Sequence, residues 1–60
     1  MRVYLVYDTK DNELFVMRGT AKTVARKLEV HPDKVRDYAR IGSLIKRRYR
    51  VIRERDEEDE

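Results

Sequence analysis

Between Gly19 and Gly42 the chain reads GTAKTVARKLEVHPDKVRDYARIG, two short apolar stripes with almost nothing between them. Ala21, Val24, Ala25 and Leu28 recur at three- and four-residue steps, the spacing that lines side chains along one face of a helix. Lys22, Arg26 and Lys27 take the opposite face, and Thr20 is suited to cap the first turn through its hydroxyl. A second stripe follows in Val35, Tyr38 and Ile41. His31 is placed to cap it, Pro32 suits the first helical position, and Asp33 favours the positive end of the helix dipole. Gly42 is a natural stop. Val30 sits in the connection.

The flanks have a different period. In RVYLVY, Val3, Leu5 and Tyr7 alternate with Tyr4 and Val6, the pattern of a strand. The polar cluster DTKDN suits a turn. ELFVMR then resumes the alternation, with Leu14 and Val16 predicted on one face and Phe15 and Met17 on the other. The two segments predict a β-hairpin, which is marginal in water until it packs on something else. SLIKRRYRVIRE admits two readings. Leu44, Ile45, Tyr49 and Ile52 fit one helical face, whereas YRVIR is rich in β-formers and Gly42 and Ser43 end the preceding helix. The second reading, a third strand over Tyr49–Arg53 added to the hairpin, is preferred.

Sixty residues make one domain, and a chain of this size buries only about 60% of its unfolded surface. Cysteine is absent, so no disulfide or thiolate metal site staples the fold. No apolar run approaches the roughly 18 residues of a membrane span, and the amino-terminal segment lacks a signal-peptide cleavage site. A soluble, cytoplasmic protein with no membrane partner is expected. The net charge of +3 conceals a polarity. The last seven residues, ERDEEDE, carry six acids and one arginine, leaving 14 basic and six acidic groups in residues 1–53. A domain over 1–53 with that excess attracts polyanions through counterion release. The tail over 54–60 has nothing to bury and is predicted to be disordered, either solubilising the chain or competing with nucleic acid for the basic face.

Val24, Ala25, Leu28, Val30, Val35 and Tyr38 fall where helix-turn-helix DNA-binding motifs place their core. TAKTVARKLEVHPDKVRDYA resembles the bacterial and phage pattern in which a VA-x-x-L-G-V-S element precedes the recognition helix. It departs from that pattern at Glu29, where glycine is frequent, and at His31, where serine or threonine is common. A non-glycine residue in a left-handed turn costs roughly 1 kcal/mol. The wider layout is similar to small uncharacterised proteins of Gram-positive phages and mobile elements, and to the DNA-binding repeats of homing endonucleases. The resemblance implies an α+β, winged helix-turn-helix-like domain: β-hairpin, helix-turn-helix and a third, basic β-strand. It also implies binding of double-stranded DNA through the second helix; a role as a regulator or accessory factor of a phage or mobile element is the expectation built on it. One such module touches only a few base pairs, so useful specificity calls for a homodimer or a partner.

On that reading His31, Asp33, Lys34, Arg36, Asp37 and Arg40 face outward. Arg36 and Arg40 stand one turn apart, within reach of one major groove and the O6 and N7 of guanine. Lys34 is predicted on phosphate, while Asp37 either accepts from cytosine N4 or orients a neighbouring arginine. The run KRRYR puts Lys46, Arg47, Arg48 and Arg50 beside the phosphates, with Arg48 and Arg50 toward the backbone and Arg47 and Tyr49 opposite. The plainer account is a solvated helix face with local ion pairs and charges that protect a sheet edge. The tyrosines read as core rather than as stacking platforms.

Catalysis has little to stand on, with one histidine, one serine and no cysteine. DTKDNE lacks the spacing and glycine of a calcium loop, and neither a metal nor a cofactor is expected. The competing function is a phage-type interaction protein that binds and inhibits a host protein through exposed Tyr4, Phe15 or Met17. RNA binding on the sheet is a third.

Overall fold

The computed structural model describes residues 2–54. Their order is β1 (Tyr4–Asp8), a 3-10 turn (Thr9–Asp11), β2 (Leu14–Gly19), α1 (Ala21–Leu28), α2 (Pro32–Ile41), β3 (Leu44–Ile45) and β4 (Tyr49–Arg53). The strands form one antiparallel sheet in the order β2-β1-β4-β3. The fold is α+β, two helices over one face of a four-stranded sheet. No helix among the described residues is long and apolar enough to cross a membrane.

Each helix ends where its sequence dictates. The Thr20 hydroxyl accepts the Thr23 amide at 3.3 Å, satisfying a first-turn donor. α1 stops at Glu29, held at φ 61°, where the amides of Glu29 and Val30 both return to the Ala25 carbonyl. Glu29 therefore occupies the left-handed position that the resemblance assigns to glycine. His31 does cap α2, its Nδ1 accepting the Asp33 amide at 3.1 Å. Gly42, at φ 80°, closes α2 by donating its amide to the Tyr38 carbonyl at 2.9 Å.

The four largest fully buried side chains, Val6, Val24, Val35 and Ile45, come one each from β1, α1, α2 and β3. Tyr4, Ala21, Ala25, Leu28 and Val51 complete the core, with Val16, Met17, Val30, Tyr38, Ala39 and Tyr49 packed against it.

Three expectations are corrected. The register of β1 against β2 slips between Val6 and Tyr7, so that Val6 faces Met17 but Tyr7 faces Phe15. The extra residue, Val16, is a β-bulge, which breaks strict alternation. Val16 and Met17 both pack inward, while Phe15 leaves the face predicted for Met17 and stands 51% exposed. Ile41 is also not a core residue, being 58% exposed. Six residues at 3.6 per turn carry it about a third of a turn away from Val35, and Ala39 takes the inward place. Finally, β4 adds to β1 as predicted over Tyr49–Arg53, but Leu44 and Ile45 form a further short strand beside it.

The far face of the sheet carries no helix. Leu5 and Tyr7 of β1 lie there, with Phe15 edge-on to Tyr7 at 5.7 Å between centroids and Ile52 opposite Leu5. Two ion pairs flank them, Arg18 with Glu54 at 2.6 Å and Arg50 with Glu13 at 3.3 Å. Glu54 also donates its amide to the Val3 carbonyl at 2.7 Å, which ties it to the sheet. The rest of the predicted acidic tail lies outside the described residues.

Candidate nucleic-acid interface

Val35, Tyr38 and Ala39 turn one side of α2 to the core, so His31, Asp33, Lys34, Arg36, Asp37 and Arg40 are left exposed on the other. They are locally paired. Arg36 reaches Asp33 at 2.7 Å and Arg40 reaches Asp37 at 3.4 Å, both across three residues. Asp37 thus stands beside Arg40, one of the two arginines it was expected to orient. The Lys34 ammonium lies 5.4 Å from the centre of the Tyr38 ring. Exposed pairs of this kind are weakly held, so a phosphate can displace either carboxylate at little cost.

Arg36 and Arg40 do not stand alone. A groove of about 350 Å³ is lined by Arg2, Tyr4, Arg36, Asp37, Ala39, Arg40 and Arg53. A second, of about 400 Å³, adjoins it and shares Arg2, Tyr4 and Arg36, adding Thr20, Ala21 and Lys22. The antiparallel register explains the convergence: Tyr4 at the start of β1 pairs with Arg53 at the end of β4, which brings the two strand ends together. Among the described residues, five cations, Arg2, Lys22, Arg36, Arg40 and Arg53, thus line the two grooves with one carboxylate, Asp37, while Asp33 pairs with Arg36 from outside them. Sequence reading missed Arg2 and Arg53 because only the pairing of β1 with β4 places them beside α2, and Lys22 because only the packing of α1 on α2 does.

The basic run 46–50 opens elsewhere. Lys46 and Arg48 line a groove of about 450 Å³ with Lys10, Lys27, Leu28, Glu29 and Tyr49, at the opposite end of β1. Lys46 and Arg47 form the tip of the β3–β4 turn, both at φ 55°. Arg48 is occupied. Its guanidinium grips the buried carboxylate of Asp8 through two hydrogen bonds, Nε to Oδ1 at 2.9 Å and Nη2 to Oδ2 at 2.6 Å. It also lies 5.2 Å from the centre of the Tyr49 ring. The Thr9 amide and hydroxyl both donate to the Arg48 carbonyl, at 2.9 and 2.6 Å. These hydrogen bonds from Arg48 hold the Asp8 carboxyl below the usual carboxylate range; burial opposes the shift and the Lys10 amide reinforces it. Arg50 projects from the far sheet face toward Glu13. The predicted contacts therefore separate: Arg36, Asp37 and Arg40 share one basic groove, Lys46 and Arg48 another, and Arg50 lies outside both.

Comparison with family models, curated proteins and solved structures returned no match.

Proposed function

We propose that this protein binds double-stranded DNA, with α1, the Glu29–His31 connection and α2 acting as a helix-turn-helix and β3–β4 as its wing. The observation that carries this reading is the gathering of Arg36 and Arg40, from the exposed side of α2, with Arg2 and Arg53 in one groove. The two basic grooves lie at opposite ends of the β1–β4 pair, at Tyr4 and Arg53 and at Asp8 and Tyr49. Four residues of strand separate those ends by roughly 13 Å, close to the approximately 12 Å width of a major groove. α2 begins beside one, just after Glu29, and carries Arg36 and Arg40 to the other. In this arrangement α2 reads base edges, and the two basic ends rest on the phosphates that border the groove. The role is that of a regulator or accessory factor of a phage or mobile element, working as a homodimer or with a partner.

Fluorescence anisotropy of a mixed-sequence duplex, titrated at several salt concentrations, tests the reading. Affinity is expected to fall steeply with salt, and Arg36→Ala with Arg40→Ala to weaken binding at least tenfold, about 1.4 kcal/mol. Absence of binding at about 50 mM salt, where phosphate contacts are strongest, would sink it.

A second reading rests on the far sheet face, where Phe15 and Ile52 are exposed. An interaction protein that inhibits a host protein would use that face. Of the residues first expected to carry such an interface, Tyr4 is 3% exposed and Met17 packs on the core, which leaves Phe15.

A further inference from the structure

Tyr4 is unusual among the core residues. It is 3% exposed, yet it lines both adjoining basic grooves. The other members of its buried cluster, Val6, Ala21, Val24, Ala25, Leu28, Val35, Ile45 and Val51, offer only hydrocarbon side chains. No fully occluded side-chain oxygen or nitrogen among the described residues lacks a hydrogen-bond partner. The Tyr4 hydroxyl makes no hydrogen bond to any described residue, and the tyrosine lies in the wall of both grooves. A phenol donor in the wall of a cation-rich cleft suits an acceptor that carries negative charge. Arg2, Lys22 and Arg53 form no ion pair among the described residues, so three cations stand ready around it.

We propose that the Tyr4 hydroxyl, with Arg2, Lys22 and Arg53, seats one phosphodiester of the duplex backbone. This deepens the DNA-binding reading and rests on it. Arg36 and Arg40 of α2 border the seat and stay with the bases, so the seat fixes how the helix enters the groove. Tyrosine and arginine suit this role: contacts to phosphate set register and carry no sequence information.

The test is duplex binding by the full chain, measured over a range of salt, with Tyr4→Phe, Arg53→Ala and Arg18→Ala. Tyr4→Phe keeps the ring in the core and removes only the donor. It is expected to weaken binding about tenfold without changing the slope of log K against log salt, because no charge is lost. Arg53→Ala is expected to reduce that slope by roughly 0.9, one phosphate contact. Arg18→Ala removes the same charge from the far sheet face and is expected to change the slope little. If wild type binds while Tyr4→Phe and Arg53→Ala both behave like Arg18→Ala, the seat is wrong and DNA binding stands. If wild type itself fails to bind, both are overturned. Circular dichroism of Tyr4→Phe checks that the core is intact.

Discussion

Asp8 is the one buried carboxylate among the described residues, and it decides what Arg48 does. In the sequence Asp8 opens a turn and Arg48 sits in a basic run; the fold joins them across 40 residues as a two-pronged ion pair. Removing Arg48 leaves the buried Asp8 carboxylate without its two charged hydrogen bonds. The Asp8 carboxyl titrates below its ordinary value in the folded chain, and Glu54, hydrogen-bonded by Arg18, is shifted the same way. The unfolded chain therefore takes up protons first as pH falls. The stability from these pairs is complete above the unfolded value of about 4 and is lost as pH drops through the folded value. Thermal melts at stepped pH are expected to show the melting temperature falling below about pH 4. Asp8→Asn is expected to melt lower than wild type at neutral pH and to show a shallower acid decline; equal acid slopes would contradict this assignment. Arg48→Ala is likewise expected to cost stability, so weaker DNA binding by that variant needs its melting curve beside it.

The β3–β4 turn shows an element built against its own stability. Lys46 and Arg47 are both left-handed, and the Arg48 amide closes the turn on the Ile45 carbonyl at 3.0 Å. A β-turn with positive φ at both central positions favours Asn-Gly, since other residues pay for the conformation. A Lys–Arg pair here places two charges at the tip at that cost. Lys46→Asn with Arg47→Gly is expected to stabilise the protein by about 1 kcal/mol or more, raising the melting temperature by about 4–8 °C, while weakening duplex binding. Higher stability with unchanged binding would remove the turn from the interface. The helices of this chain were legible in sequence because caps and stripes are local: Thr20, His31 and Gly42 each act within four residues. The Val16 bulge was not, because alternation carries no mark of a skipped register. Ile41 was misplaced because Ala39 offers too small a side chain to signal the inward face. β3 was missed because two residues cannot display a period. In the groove beside α2, the exposure of Arg36 and Arg40 was legible from helical spacing alone, whereas the presence of Arg2 and Arg53 required knowing that β4 lies against β1.

The whole molecule has two dissimilar faces. On one, helices cover the sheet and the basic grooves open at both ends of the β1–β4 pair; on the other, Leu5, Tyr7, Phe15 and Ile52 sit among the Arg18–Glu54 and Arg50–Glu13 ion pairs. The charge balance differs accordingly. Each arginine of the far face is matched by a glutamate, while the groove beside α2 holds more cations than carboxylates. A polyanion thus has reason to choose the helical face, and an apolar partner the sheet. Amide chemical shifts of the labelled protein, followed as a short duplex is added, decide between the faces directly. The account predicts the largest changes along Lys34–Ile41 and at Arg2, Tyr4, Lys22 and Arg53, with the far face undisturbed. Changes concentrated at Leu5, Tyr7, Phe15 and Ile52, with α2 unmoved, would contradict it.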